Sequence, residues 1–134
     1  IIYRLFFLSI EPLSALVGAY STYFHPNSSL PSLPSPPSPL PPHTTITLSQ
    51  LANMYLFFAL NEALVLRATA DMRVWRTLLC ILLLADFGHL WAMKSLGASV
   101  YWDLRGWGVW ECANLGVVYG GAMLRIAFLV GVGL

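Results

Sequence analysis

Long apolar stretches with few charges dominate the order of residues along the chain. A helix needs roughly 20 mostly apolar residues to cross the hydrocarbon core of a bilayer. Four stretches meet this length, at residues 5–24, 48–66, 75–93 and 109–129. They are apolar on all sides, which is typical of helices surrounded by lipid rather than of a soluble bundle. The pattern predicts an all-α bundle of four transmembrane helices.

A proline-rich loop is predicted between the first two helices. Residues 26–42 contain eight of the nine prolines of the chain. Proline fixes its own φ angle and lacks an N–H group, so this density excludes both helix and sheet. We expect an extended, partly polyproline-II connection between two spans. It contains the glycosylation sequon that begins at Asn27, close to the end of the first span.

The basic residues predict how the chain is oriented. Cytosolic loops carry an excess of lysine and arginine. In a four-span topology one side has five basic residues and the other side has two. The first group is Arg4, Arg67, Arg73, Arg76 and Arg125, and the second is Lys94 and Arg105. We therefore expect both termini on the same, cytosolic side and the proline-rich loop on the opposite side.

Composition supports the membrane interpretation and excludes other classes of protein. The chain has 134 residues, 57% of them hydrophobic and 10% charged, whereas an ordinary soluble domain has about 25% charged residues. Its hydrophobicity excludes a disordered chain, and its net charge of +1 indicates no nucleic-acid partner. We predict a single integral membrane domain over residues 1–134, in the endoplasmic reticulum or the plasma membrane.

Charged groups inside the predicted spans form a first layer of candidates near the inner side. Each costs about 2.5–3.5 kcal/mol to insert into hydrocarbon, so it is expected to face the bundle interior and find a partner. Glu11, Glu62 and Arg125 fall at similar depths when counted at about 1.5 Å per residue. The sequence predicts an intramembrane ion pair of Arg125 with Glu11 or Glu62, and the simplest role of such a pair is to fix helix register.

A second polar layer is predicted toward the outer side. Asp86 and His89 are spaced i, i+3 and share a helix face, and Asn53, Glu111 and Asn114 approach a similar depth from other spans. Together they predict a polar pocket within the membrane. In a catalytic interpretation His89 carries a proton, and Asp86 orients it or donates a proton itself. In a structural interpretation an Asp86–His89 hydrogen bond holds the helices together.

These groups favour a protein that binds a lipid or another apolar molecule, such as a sterol or terpenoid. One alternative is an isomerase or cyclase in which Asp86 and His89 transfer protons. Another is a non-enzymatic accessory subunit or assembly factor that binds a second membrane protein. A metal site on Asp86, His89 and Glu111 is a weaker alternative because no recognised ligand spacing accompanies them. We expect no metal and no cofactor.

Several stretches of the chain are similar to a known family. They are Phe6–Tyr20, Gln50–Arg67, Arg73–Leu90 and Tyr101–Trp107, with the combinations Glu11-Pro12, Asn61-Glu62, Asp86 with His89, and Trp102-Asp103. Together they resemble a family of small fungal integral membrane proteins known only as a domain of unknown function. The resemblance implies four spans and a fungal source, and it implies no activity.

Overall fold

The computed structural model describes the helical core of the protein. The backbone is described for residues 1–25, 39–96, 101–102 and 109–133, and side chains for 1–25, 39–94, 101–102 and 115–133. All regular structure in these residues is helical and none is strand, so the all-α prediction is confirmed. Most of the predicted proline-rich loop, including Asn27, lies outside the described residues.

Four long helices make up the described part of the chain. They are α1, Ile2–Phe24; α2, Pro42–Ala68; α3, Met72–Ala92; and α4, Val109–Val130. A short 3₁₀ turn, Met93–Leu96, follows α3. The first three are long and apolar enough to cross a membrane, whereas the apolar part of α4 that is described, Leu115–Val130, is shorter. These lengths suggest a membrane protein.

The start of α2 differs from the sequence expectation, which began the span at residue 48. The helix begins at Pro42, whose missing N–H costs nothing in the first turn and whose fixed φ suits a helix start. The hydroxyl of Thr47 donates to the carbonyl of His43 at 2.9 Å. This polar first part of α2 precedes the apolar stretch, so a search for apolar residues alone does not include it.

The outward surfaces of the three long apolar helices, α1, α2 and α3, are apolar. No more than 22% of the most apolar window of α1, α2 or α3 is buried. Large hydrophobic side chains such as Val17, Phe57 and Leu84 are exposed. Soluble monomers rarely expose contiguous apolar surface on this scale, whereas lipid solvates such a surface without penalty.

The described residues fall into two compact units, Ile1–Ala68 and Thr69–Leu134. In the first unit α1 packs along α2. The ring of Tyr55 packs directly over Gly18, where an added Cβ atom would lie in ordinary van der Waals contact with it, at 3.6 Å. Phe7 and Leu66 are fully buried side chains of this unit.

Both helices of the first unit contain a π-helical segment. The segment in α1 is Phe6–Ile10 and that in α2 is Asn61–Val65, and the two segments contact each other. Single π-helical turns inside α-helices are rare and occur often at functional sites. Pro12 supplies a physical reason for the first one, since a proline inside a helix removes one N–H donor and crowds the preceding turn.

The second unit is built from α3 and α4. Asp71 caps α3, with its Oδ1 accepting a hydrogen bond of 2.8 Å from the backbone N–H of Arg73. Near the start of α3 the ring of Trp75 packs on that of Phe128, near the end of α4, with centroids 5.9 Å apart. The two helices therefore run in opposite directions. Gly131, at φ 88°, ends α4 in the left-handed conformation that favours glycine.

Candidate functional site

An ion pair between α3 and α4 is the clearest polar contact of the second unit. The Nη1 atom of Arg125 lies 2.5 Å from Oδ2 of Asp86. The Arg125 side chain is 3% exposed and the Asp86 side chain 15% exposed. Two charges so far removed from water need each other, because an unpaired charge in such surroundings is strongly destabilising.

The direction of helical side chains explains this contact. Counting about 1.5 Å per residue from the contact of Trp75 with Phe128 puts the backbones of Asp86 and Arg125 about 12 Å apart along the helix axis. Side chains in an α-helix lean toward its N-terminus. Since α3 and α4 are antiparallel, the long side chain of Arg125 and the short one of Asp86 lean toward each other.

His89 lies one turn beyond Asp86 on α3. Its ring is half-buried, and its Nε2 atom is buried without a hydrogen-bond partner among the described residues. Asp86 contacts Arg125 rather than His89 in the described hydrogen bonds. The ion pair of Asp86 with Arg125 thus lies one helical turn from a buried imidazole nitrogen that has no hydrogen-bond partner among the described residues.

The two glutamates predicted to pair with Arg125 both lie in the first unit. Glu11 is 8% exposed and immediately follows the π-helical segment of α1, and Glu62, 2% exposed, lies within the segment of α2. The backbone carbonyl of Glu11 accepts a hydrogen bond of 2.7 Å from the Ser14 hydroxyl. Pairing of Arg125 with either glutamate stays a prediction.

The remaining predicted pocket residues lie in the first unit or outside the described side chains, so the pocket stays a prediction. Asn53 is exposed on α2, in the first unit. Glu111 and Asn114 belong to the first turns of α4, and their side chains lie outside the described residues. Among the described side chains, no group of three histidine, cysteine or acidic residues has an arrangement that fits a metal ion.

Comparison with known families matches the chain over residues 1–134 to a family described as a domain of unknown function, DUF7704. The chain belongs to the DUF7704 family. This confirms the resemblance to an uncharacterised family, while the fungal source and the four spans stay predictions. No curated protein and no solved structure matches this DUF7704 chain, so its chemistry has to be argued from its own residues.

Sequence reasoning on this DUF7704 chain missed one contact of the first unit. The guanidinium of Arg67 donates from Nη2 to the backbone carbonyl of Leu8 at 2.7 Å. Leu8 is four residues before Pro12, and it is the carbonyl that a residue with an N–H at position 12 would bind in an α-helix. The signal was present in the sequence, because a proline inside a helix removes the N–H group that would otherwise bind this carbonyl.

Proposed function

We propose that this DUF7704 chain is a multi-pass membrane protein that binds a lipid or another apolar small molecule carrying one polar group. The observation that supports the proposal is the buried Nε2 atom of His89, which has no hydrogen-bond partner among the described residues. Buried polar atoms in folded proteins are almost always hydrogen-bonded, so an exception requires an explanation. A hydroxyl or carbonyl group on a sterol, terpenoid or lipid supplies the missing partner.

The surroundings of His89 fit such a ligand. Ala85 and Ala92 lie one turn before and after His89 on the same face of α3, and their small apolar side chains leave room beside the half-buried ring. Lipid tails and sterol rings gain contact with surfaces of this kind, while one hydrogen bond fixes the orientation of the molecule. Asn53, Glu111 and Asn114 remain proposed pocket residues.

The ion pair favours binding over catalysis. A carboxylate that accepts a hydrogen bond from a buried guanidinium acts as a counter-ion rather than as a proton donor. In an isomerase or cyclase, His89 would have to move the proton, and Asp86 would assist it only after release from Arg125. We therefore keep Asp86 and His89 as an alternative catalytic pair and place binding first.

The test is mass spectrometry of the lipids that remain bound after mild detergent purification. In wild type we expect one apolar species enriched over bulk membrane lipid, and in His89→Ala its retention should fall about fivefold, the effect of losing one net hydrogen bond. His43→Ala is the matched control, because His43 is exposed in the first turn of α2. Bulk phospholipid alone, unchanged by His89→Ala, would contradict the binding proposal.

A second candidate function is that of an accessory subunit bound to another membrane protein. Asn53 favours it, because this amide is exposed in a helix of membrane-spanning length. Amide side chains in lipid associate helices through interhelical hydrogen bonds. Crosslinking from position 53 in intact membranes tests this function. Adducts to lipid alone would count against it, and one discrete protein adduct would support it.

The proposed topology has four spans and both termini in the cytosol, in the endoplasmic reticulum or the plasma membrane. Three helices of sufficient length support the membrane location, and the distribution of arginine and lysine supports the orientation. The resemblance to fungal membrane proteins supports the fourth span.

A further inference from the structure

The charges of the first unit divide into a buried pair and an exposed pair. Residues 1–68 contain four charged side chains, Arg4, Glu11, Glu62 and Arg67. The two glutamates are buried, whereas the two arginines are exposed. The arginines lie toward the two chain ends of the unit, and the glutamates lie further along the helices.

Both arginines lie at the same end of the unit. Arg4 is in the first turn of α1 and Arg67 in the last turn of α2. The segment Leu66–Ala68 contacts the π-helical segment Phe6–Ile10. The end of α2 thus meets the beginning of α1, which concentrates two positive charges there.

The guanidinium of Arg67 has a fixed position. Its Nη2 donates to the carbonyl of Leu8 at 2.7 Å. A guanidinium has five N–H groups in a planar fork, so this bond leaves further donors available. Arg4 is four residues before Leu8 and belongs to the same face of α1. The exposed, flexible side chain of Arg4 and the guanidinium of Arg67 therefore belong to the same face at this end of the unit.

The position of the two arginines at the end of the first unit indicates which class of ligand binds there. Both α1 and α2 have the length and composition of membrane spans, and the two arginines are near their ends, where a bilayer presents its headgroups. Guanidinium groups bind phosphate with paired hydrogen bonds, which lysine cannot reproduce. An anionic lipid supplies a phosphate at that depth and remains anchored there by its acyl chains.

We propose that Arg4 and Arg67 form a binding site for the phosphate group of an anionic membrane lipid at this end of the first unit. The proposal rests on the membrane insertion proposed above and is independent of any ligand at His89. Arg67 thus has two roles. Its hydrogen bond to the Leu8 carbonyl stabilises α1, and the same bond holds the guanidinium in a position suited to the phosphate.

The experiment compares lipid retention by native mass spectrometry. The full chain is purified from equimolar phosphatidic acid and phosphatidylcholine, and the ratio of the two bound lipids is measured. Arg4→Gln is the main variant, since Arg4 is exposed and its loss should leave folding intact. We expect the ratio to fall about fivefold, as for one basic residue near an anionic surface. Lys94→Gln, which removes an exposed cation of the second unit, should leave the ratio unchanged.

Arg67→Lys separates geometry from charge. Lysine preserves the positive charge but lacks the planar fork, so the ratio of bound phosphatidic acid to phosphatidylcholine should also fall in Arg67→Lys. In Arg4→Lys this ratio should fall less than in Arg4→Gln, because the charge remains. An unchanged ratio in both Arg4→Gln and Arg67→Lys would overturn the proposal, as would an equal fall in Lys94→Gln. Resistance to alkaline extraction tests membrane insertion separately. A chain that is extracted at high pH would contradict the proposed membrane location, whatever the lipid ratio.

Discussion

Arg125 shows at the scale of one residue how a charge is accommodated in an apolar protein. It is the buried cation among the described side chains, and Asp86 on the neighbouring helix is its counter-ion. The sequence predicted an acidic partner for Arg125 within the spans, and the candidates were Glu11 and Glu62. The pairing with Asp86 was not predicted, because residue counting locates the backbone and ignores the reach and direction of an arginine side chain.

The ion pair predicts an asymmetric response to mutation. Asp86→Ala leaves the guanidinium of Arg125 buried without this counter-ion, so the free energy of unfolding should fall by about 3 kcal/mol. Replacing both partners, in Asp86→Leu/Arg125→Met, should restore most of that loss, because neither charge remains to be desolvated. Reversible unfolding in mixed detergent micelles measures both changes.

The control for this experiment is Arg76→Gln, which removes an exposed arginine from the same helix as Asp86. Exposed substitutions usually change the free energy of unfolding by no more than about 0.5 kcal/mol. If Asp86→Ala lowers the free energy of unfolding no more than Arg76→Gln does, the ion pair contributes nothing to stability. A double variant as unstable as Asp86→Ala would show that packing rather than charge sets the cost.

At the scale of an element, α1 illustrates how a proline is tolerated within a span. The helix continues through Pro12 from Ile2 to Phe24, although proline removes a hydrogen bond and crowds the preceding turn. The π-helical segment just before Glu11 relieves this crowding, and the Arg67 side chain supplies the donor that Pro12 lacks. The π-helical segment and the hydrogen bond from Arg67 therefore allow the helix to continue past a proline that would otherwise interrupt it.

This arrangement predicts that Pro12 and Arg67 are energetically coupled. Arg67→Gln should lower the free energy of unfolding by about 1–3 kcal/mol, because it leaves the Leu8 carbonyl without its charged donor. In a Pro12→Ala background the helix regains its own N–H donor, so the same substitution should cost much less. A double-mutant cycle in detergent micelles measures the coupling.

Arg73→Gln provides the comparison for the cycle, since Arg73 is an exposed arginine at the start of α3. The loss of unfolding free energy in Arg73→Gln should be small, and it should be the same whether position 12 is proline or alanine. Equal costs of Arg67→Gln in both backgrounds would rule out the idea that Arg67 compensates for the proline.

The elements themselves could be predicted from the sequence more readily than their partners. Long apolar runs are sufficient to predict helices, and α1, α2 and α3 lie where such runs occur. The start of α2 was predicted six residues late, because its first turns are polar and begin at a proline. Contacts such as Arg67 with Leu8 join residues 59 positions apart, and no periodicity in the chain encodes which side chain reaches which carbonyl.

At the scale of the whole molecule, the exposed apolar surface and the buried charges have one common explanation. Hydrocarbon accepts exposed groups such as Leu13 and Val17 and requires charges to be satisfied within the protein. The helices that carry these residues all lie within the DUF7704 domain, which covers residues 1–134.

The number of spans decides on which sides of the membrane the termini lie. If α4 crosses the bilayer as α1, α2 and α3 are proposed to do, the chain has four spans and both termini lie on the same side, which the distribution of arginine and lysine predicts to be the cytosol. Epitope tags at the two ends should then have the same protease sensitivity in sealed vesicles, and a tag after Thr69, in the connection between α2 and α3, should behave like them. Tags with opposite sensitivity at the two ends would contradict the four-span topology, because an even number of spans returns the chain to the side from which it started.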